Sequence, residues 1–166
     1  MYHTPMETRG RVSYLFEPPE DVSSRQASAT RRDTKAIGDR SEAMVLAALV
    51  RNGYHVSIPF GENNRYDLLA DDGARIVRVQ VKSGRVRKGA ISYSCCSTHA
   101  HRRAGPLASR SYRGEVDYIA VYCDELRKVY LVPEEELART RAHLRLIAPT
   151  NGQRRKLRWA HRFELP

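Results

Sequence analysis

The sequence lacks a long apolar run and has few cysteines, and both deficits exclude broad classes of protein. No stretch approaches the ~18 consecutive apolar residues that a membrane-spanning helix needs. Residues 1–10 also lack a basic segment followed by an apolar one, so we expect no signal peptide. The three Cys, two of them adjacent at 95 and 96, do not form a disulfide framework. We therefore expect a cytoplasmic protein with reduced thiols and no membrane partner.

Acidic residues are also scarce: 29 Lys and Arg stand against 19 Asp and Glu, a formal net charge of +10. The window from Arg85 to Arg113 holds seven basic residues and no acidic one, and a second basic run covers residues 154–158. This pattern favours a polyanionic partner such as nucleic acid, although an ordinary solvated loop is the alternative for residues 97–113. Tyr93 and Tyr112 could pack on sugar or base. The candidate DNA contacts are Arg85, Arg87, Lys88, Arg102, Arg103, Arg110, Arg113, Arg154, Arg155, Lys156 and Arg158.

The periodicity of the chain predicts one helix followed by several strands. Residues 1–32 mix Pro, Ser and charged residues without a period, which is typical of a flexible arm. Asp33 or Thr34 can cap a helix that ends at Gly53, although Gly38 favours a start near Asp39. A basic loop over 97–113, a short helix over 134–141 and a last strand at the apolar patch 144–147 complete the predicted elements. The predicted strands cover residues 54–58, 66–70, 74–83, 91–94, 116–123 and 128–132.

This order of elements predicts a small α/β domain built around a mixed β-sheet. We expect a core over residues 33–138. A basic C-terminal extension over residues 139–166 would pack on that core and contact DNA. The strand over 74–83 alternates apolar and polar residues, so it is predicted to be half-buried with one polar face.

Four polar residues stand in an order that suits phosphodiester hydrolysis. Glu42 lies on the helix, Asp67 opens a strand, and Gln80 and Lys82 share a face of the strand after an Asp-Gly hairpin. Such hydrolysis needs oxygens that hold a divalent cation and a group that positions the attacking hydroxide. Mg²⁺ needs few carboxylates, so the Val81 carbonyl could serve as a neutral ligand. Taken singly, each residue has an ordinary explanation: a turn, a solvated strand face or a favourable helix dipole.

Residues 38–85, which contain this set, resemble the PD-(D/E)XK nuclease superfamily. The similarity is greatest to its group I intron-encoded homing endonuclease branch, which carries a Q-x-K motif, and it extends more loosely over about residues 36–162. The resemblance implies an α/β, restriction-endonuclease-like core in which helices flank a mixed β-sheet.

The same resemblance implies the roles of the site residues. Glu42, Asp67, Gln80 and Lys82 would be catalytic, and Asp67, Glu42 and Val81 would hold Mg²⁺, for which Mn²⁺ could substitute. Gln80 departs from the superfamily's commonest pattern, which has an acidic residue at this position.

We therefore expect a metal-dependent endonuclease that cuts double-stranded DNA at specific sequences. Because each chain has one site, double-strand cleavage implies a homodimer or homotetramer. The alternatives are a Holliday-junction-resolving or repair nuclease, and a catalytically degenerate DNA-binding protein on the same fold.

Overall fold

The computed structural model describes residues 33–61, 64–98, 109–149 and 157–166. In these segments one α-helix, α1 (Thr34–Arg51), precedes nine strands. The predicted strands are confirmed, with bounds that shift by a few residues. The strands are β1 (His55–Ser57), β2 (Leu68–Asp71), β3 (Ile76–Arg87), β4 (Ala90–Ser94), β5 (Cys96–Thr98), β6 (Ser109–Ser111), β7 (Tyr118–Cys123), β8 (Lys128–Pro133) and β9 (Arg141–Arg145).

Helix α1 begins at Thr34 because the side chain of Asp33 caps it. The carboxylate Oδ1 accepts hydrogen bonds from the backbone N–H groups of Lys35 at 3.0 Å and Ala36 at 3.2 Å. The expected start near Asp39 is therefore wrong, since the cap satisfies the orphan donors and Gly38 is accommodated inside the helix. No helix in the described part of the chain is long and apolar enough to cross a membrane.

The long strand β3 organises a seven-stranded mixed sheet. It pairs antiparallel with β2 over residues 76–79, parallel with β7 over 79–84 and antiparallel with β4 over 85–87. Strand β1 extends the sheet beyond β2, β8 extends it beyond β7, and β9 pairs with β4. The sheet thus leaves β3 without β2 or β4 as a partner around Val81 and Lys82.

Both faces of β3 are covered. Helix α1 packs Val45 and Leu49 against a cluster that contains Val79 and Val81, whereas Ile119 and Val121 of β7 belong to a second cluster on the opposite side. Gln80 consequently lies 6 % exposed. The prediction of a half-buried strand is wrong at Gln80, because both faces of β3 are covered there.

Two further expectations change. The ends of the predicted loop over 97–113 pair as strands β5 and β6, and residues 99–108 lie outside the described residues. The predicted helix over 134–141 reduces to a 3₁₀ turn, Glu134–Glu136. After it the alternation of buried Ala142 and Leu144 with exposed neighbours forms strand β9, which places part of the 139–166 segment in the sheet.

Candidate active site

Backbone groups of β3 hold Asp67 in place. Its own N–H donates to Val79 O at 2.9 Å, and its carboxylate Oδ2 accepts from Val81 N at 2.7 Å. The same oxygen accepts from Gln80 Nε2. The Asp67 side chain therefore lies beside residues 80–84 of β3, the stretch that pairs with neither β2 nor β4.

The two carboxylates of the site influence each other. Burial raises the pKa of Glu42, and the negative charge of Asp67 raises it further, whereas Lys82 acts in the opposite direction. Burial also raises the pKa of Asp67, against the lowering effects of the Val81 N–H, the Lys82 charge and the Gln80 amide. Partly desolvated carboxylates that repel each other form a place where a cation is favoured.

Gln80 and Lys82 meet different neighbours. The Gln80 amide nitrogen also donates to Val81 O at 3.3 Å. Its nitrogen thus bonds to protein oxygens, and its amide oxygen can accept a hydrogen bond from another group. Lys82 Nζ lies over the ring of Tyr112, 4.7 Å from its centroid. Tyr112 and Tyr93 are 4 % and 2 % exposed, so the prediction that they stack on DNA is wrong.

Arg65 organises the loop that leads to Asp67, and no periodic pattern in the sequence marks it. Its guanidinium lies 4.4 Å from the Tyr112 centroid. It also donates to Glu115 Oε2 at 2.5 Å, to Ser97 Oγ at 2.8 Å and to Ser111 O at 2.9 Å. Arg65 thereby ties the loop before Asp67 to β5, to β6 and to the turn that leads to β7.

Ser41 fixes α1 to the sheet beside Glu42. It is 2 % exposed, and its hydroxyl lies 2.7 Å from Ser83 Oγ and donates to Ile37 O at 2.9 Å. A buried hydroxyl pair of this kind sets the position of the helix along β3. Neither serine stood out in the sequence, because a Ser within a helix or strand is most often a surface residue.

The donor set for a metal is small. Within the described segments there is no group of three or more His, Cys, Asp or Glu that could hold a metal ion. Glu42 and Asp67 supply two carboxylates, and the Val81 carbonyl is the neutral oxygen beside them. The assignment of these three residues as metal ligands stays a prediction.

The predicted DNA contacts fall into separate groups. Arg85 and Arg87 lie on β3, and Lys88 lies in the turn between β3 and β4. Arg102, Arg103, Arg154, Arg155 and Lys156 lie outside the described residues.

The other three predicted contacts bind the protein itself. Arg110 forms an ion pair with Glu115, and Arg158 Nε lies 2.9 Å from Glu136 Oε2. Arg113 donates to Leu137 O at 2.9 Å. A role for them at DNA stays a prediction.

The model of the PD-(D/E)XK endonuclease family matches residues 32–166. The chain belongs to this family. Membership supports a nuclease activity and confirms the resemblance and the α/β, restriction-endonuclease-like fold expected from the sequence. PD-(D/E)XK nucleases generally use divalent metal ions.

A solved structure shares this architecture. The chain is similar to the bacterial homing endonuclease I-Ssp6803I, with 25% sequence identity and a TM-score of 0.62. The similarity covers 80% of this chain and 88% of that one. No curated protein matches the sequence.

Proposed function

We propose that this PD-(D/E)XK protein is a metal-dependent endonuclease that hydrolyses phosphodiester bonds in double-stranded DNA at specific sequences, as a homing-type enzyme does. The observation that carries the proposal is the Asp67 carboxylate, bound by the Val81 N–H and the Gln80 amide and coupled to Glu42 and Lys82. The homing endonuclease among the similar structures and the formal charge of +10 support DNA as the substrate.

The residues present fit a hard divalent cation. The negative charge of Asp67 raises the pKa of Glu42, and a cation bound by both carboxylates would offset that repulsion. Two carboxylates and the Val81 carbonyl are the oxygen ligands that Mg²⁺ prefers, and Mn²⁺ accepts the same set. When bound, the metal would neutralise charge on the phosphate and lower the pKa of a coordinated water.

The remaining side chains act on the phosphate and the water. Lys82 carries the positive charge that offsets the developing negative charge on the phosphate and orients the attacking hydroxide. Gln80 uses its nitrogen to hold Asp67, so its oxygen is the atom that can accept a hydrogen bond from the water. Because each chain has one such site, cutting both strands requires a homodimer or homotetramer.

The test compares metal-dependent cleavage with binding. Supercoiled plasmid is incubated with wild type, Asp67→Asn and Lys82→Ala over a Mg²⁺ titration, and DNA binding is measured separately without divalent metal. We expect cleavage by wild type alone, with binding retained by all three proteins, because Asn keeps the oxygen that accepts from Val81 N–H. Arg51→Gln, a change at the exposed last turn of α1, serves as the control and should cleave like wild type.

Each other outcome identifies a different function. Equal residual cleavage by both site variants would remove these residues from the mechanism. Binding without any metal-dependent product would show a catalytically degenerate DNA-binding protein. Preferential cleavage of a four-way junction over linear duplex would show a junction-resolving nuclease.

A further inference from the structure

Three strands bring together basic residues that are far apart in the sequence. The register pairs Arg85 of β3 with Ser92 of β4, and Ser92 with His143 of β9. It likewise aligns Arg87 with Ala90, and Ala90 with Arg145. Directly opposed residues of antiparallel strands project from the same face.

We call this surface the basic face. The outer strands contribute long basic side chains and the middle strand contributes small ones. Its residues are Arg85, Arg87, Arg141, His143 and Arg145 on the outer strands, and Ala90, Ser92 and Ser94 on the middle strand.

The positive charge of this face is not neutralised by described residues. None of its four arginines forms an ion pair with another described residue, whereas Arg65, Arg78, Arg110 and Arg158 all do. No acidic residue lies on the face. Among the described residues, Arg145 donates to the main-chain oxygens of Lys88 and Ile147, which anchors the tip of the β3–β4 hairpin.

The opposite face of the same three strands is buried in the core. Ile91, Tyr93, Ala142 and Leu144 belong to a buried core cluster. On the basic face, Arg87, Arg141 and His143 are exposed, and the Ser92 hydroxyl is buried without a hydrogen-bond partner among the described residues. The exposed basic side chains, and not this buried hydroxyl, are therefore the groups of the face that can reach an anionic ligand.

The basic face continues the side of the sheet that carries Glu42. Ser83, which bonds to Ser41 of α1, has the same alternation along β3 as Arg85 and Arg87. Val81, whose carbonyl is the proposed neutral ligand, also shares this alternation, whereas Lys82 projects from the other face of β3 towards Tyr112. At ~3.3 Å per residue, Arg85 and Arg87 lie ~13 and ~20 Å along β3 from Val81. Those distances correspond to about four to six base pairs of duplex, at ~3.4 Å each.

We propose that the basic face binds the phosphate backbone of duplex DNA on one side of the cleavage site, with Arg141, His143 and Arg145 as contacts beyond the residues that the sequence suggested. The proposal rests on the proposed function, because it places the flanking part of the same substrate. The occupant is duplex DNA since the outer strands of the face carry basic residues and no acidic ones, with small residues along its middle strand.

The experiment measures how salt weakens binding of the full chain to a labelled random-sequence duplex, without divalent metal. The test variant is R87Q/R141Q, and the control is R51Q/R162Q, which removes the same charge from exposed positions off the face. We expect the slope of log affinity against log salt to fall by about 1.8 in the test variant, about 0.9 per lost contact, and to stay unchanged in the control. R87K/R141K keeps the charge and should keep the wild-type slope.

Each contrary result has one meaning. Equal slopes for the test and control variants, or an unchanged slope in R87Q/R141Q, would overturn the proposal. Dissociation of an oligomer by R87Q/R141Q with an unchanged slope would show that a second copy of the chain covers the face instead. If wild type cuts DNA with Mg²⁺ but R87Q/R141Q leaves the salt slope unchanged, only this inference fails. If wild type neither binds nor cuts DNA, the proposed function fails as well.

Discussion

Lys82 lies against the ring of Tyr112, with Nζ 4.7 Å from the ring centroid. Arg65 lies 4.4 Å from the same centroid. Because Tyr112 is 4 % exposed, its ring has a fixed position, and cation–π attraction holds the Lys82 ammonium near it. Tyr112 is therefore a positioning residue for Lys82.

Two substitutions of Tyr112 should separate the effect of its ring on cleavage from the effect of its hydroxyl. Tyr112→Phe keeps the ring and should cleave DNA at close to the wild-type rate. Tyr112→Leu removes the ring, and we expect kcat to fall about two- to thirtyfold with little change in KM, from a loss of about 0.5–2 kcal/mol. Steady-state kinetics on plasmid DNA checks this, with melting curves for both variants. Equal losses of kcat in Phe and Leu would contradict a role for the ring.

Arg65 should tolerate even a conservative change poorly. Lysine keeps the charge but cannot donate to Glu115, Ser97 and Ser111 at once, because those bonds use different nitrogens of the guanidinium. We expect Arg65→Lys to lose about 1–3 kcal/mol of unfolding free energy through the bonds to Ser97 and Ser111. The control is Arg40→Lys, at an exposed pair with Asp124, which should change the urea midpoint little. Equal stability of the two variants would contradict the anchoring role.

Two glycines should respond in opposite directions to alanine. A Cβ at Gly84 would lie 2.6 Å from Ile91 Cγ2 and 2.7 Å from Val121 Cγ1, both in the buried core, so Gly84→Ala should destabilise by about 1–3 kcal/mol. A Cβ at Gly38 meets nothing within 4 Å, and Gly38→Ala should stabilise α1 by about 0.5–1 kcal/mol. Urea denaturation of both variants decides this, and stabilisation by Gly84→Ala would contradict the packing described.

Acid stability should depend on Asp117. Arg78 holds the pKa of this carboxyl below its usual range through a side-chain pair and a backbone N–H bond of 2.7 Å. A carboxylate with a lowered pKa stabilises the fold above its unfolded pKa of about 3.9, and that contribution is lost as the pH falls through the folded-state pKa. We expect Asp117→Asn to lower the urea midpoint at neutral pH, with a difference from wild type that shrinks on acidification.

Arg78→Gln provides the matched partner variant for this pH series. It removes the side-chain pair, the largest cause of the lowered pKa, and keeps the backbone N–H bond, so its midpoint should approach that of wild type over the same acidic range. A difference between Asp117→Asn and wild type that stayed constant with pH would contradict the pairing as the source of stability.

Local sequence patterns predicted much of the fold. The cap at Asp33 and the period-two alternation of the strands predicted α1 and the sheet, because both depend on neighbouring residues. The segment 134–141 was mispredicted because its glutamates favour a helix, while Ala142 and Leu144 gain more by pairing with β4. The pairing depends on strand β4, which lies about 50 residues earlier in the chain, so the local pattern does not reveal it.

The candidate site was predictable in part for the same reason. Asp67 directly precedes β2, and Gln80 and Lys82 lie on the adjacent β3, so their spacing indicated that they meet. Arg65 and Tyr112 reach Lys82 only through the loop geometry and the β5–β6 pair, and nothing in their sequence neighbourhood marks them. The basic face likewise depends on the register of β4 with β9.

The most direct test of the account is the map of cut sites in a random-sequence duplex library treated with Mg²⁺ by wild type and by Lys82→Ala. We predict recurrent cut positions with wild type and none with Lys82→Ala, although the variant still binds DNA. The same cut sites at the same yield with both proteins, or no Mg²⁺-dependent cutting by wild type, would contradict the assignment of Asp67, Glu42 and Lys82 as the site of DNA hydrolysis.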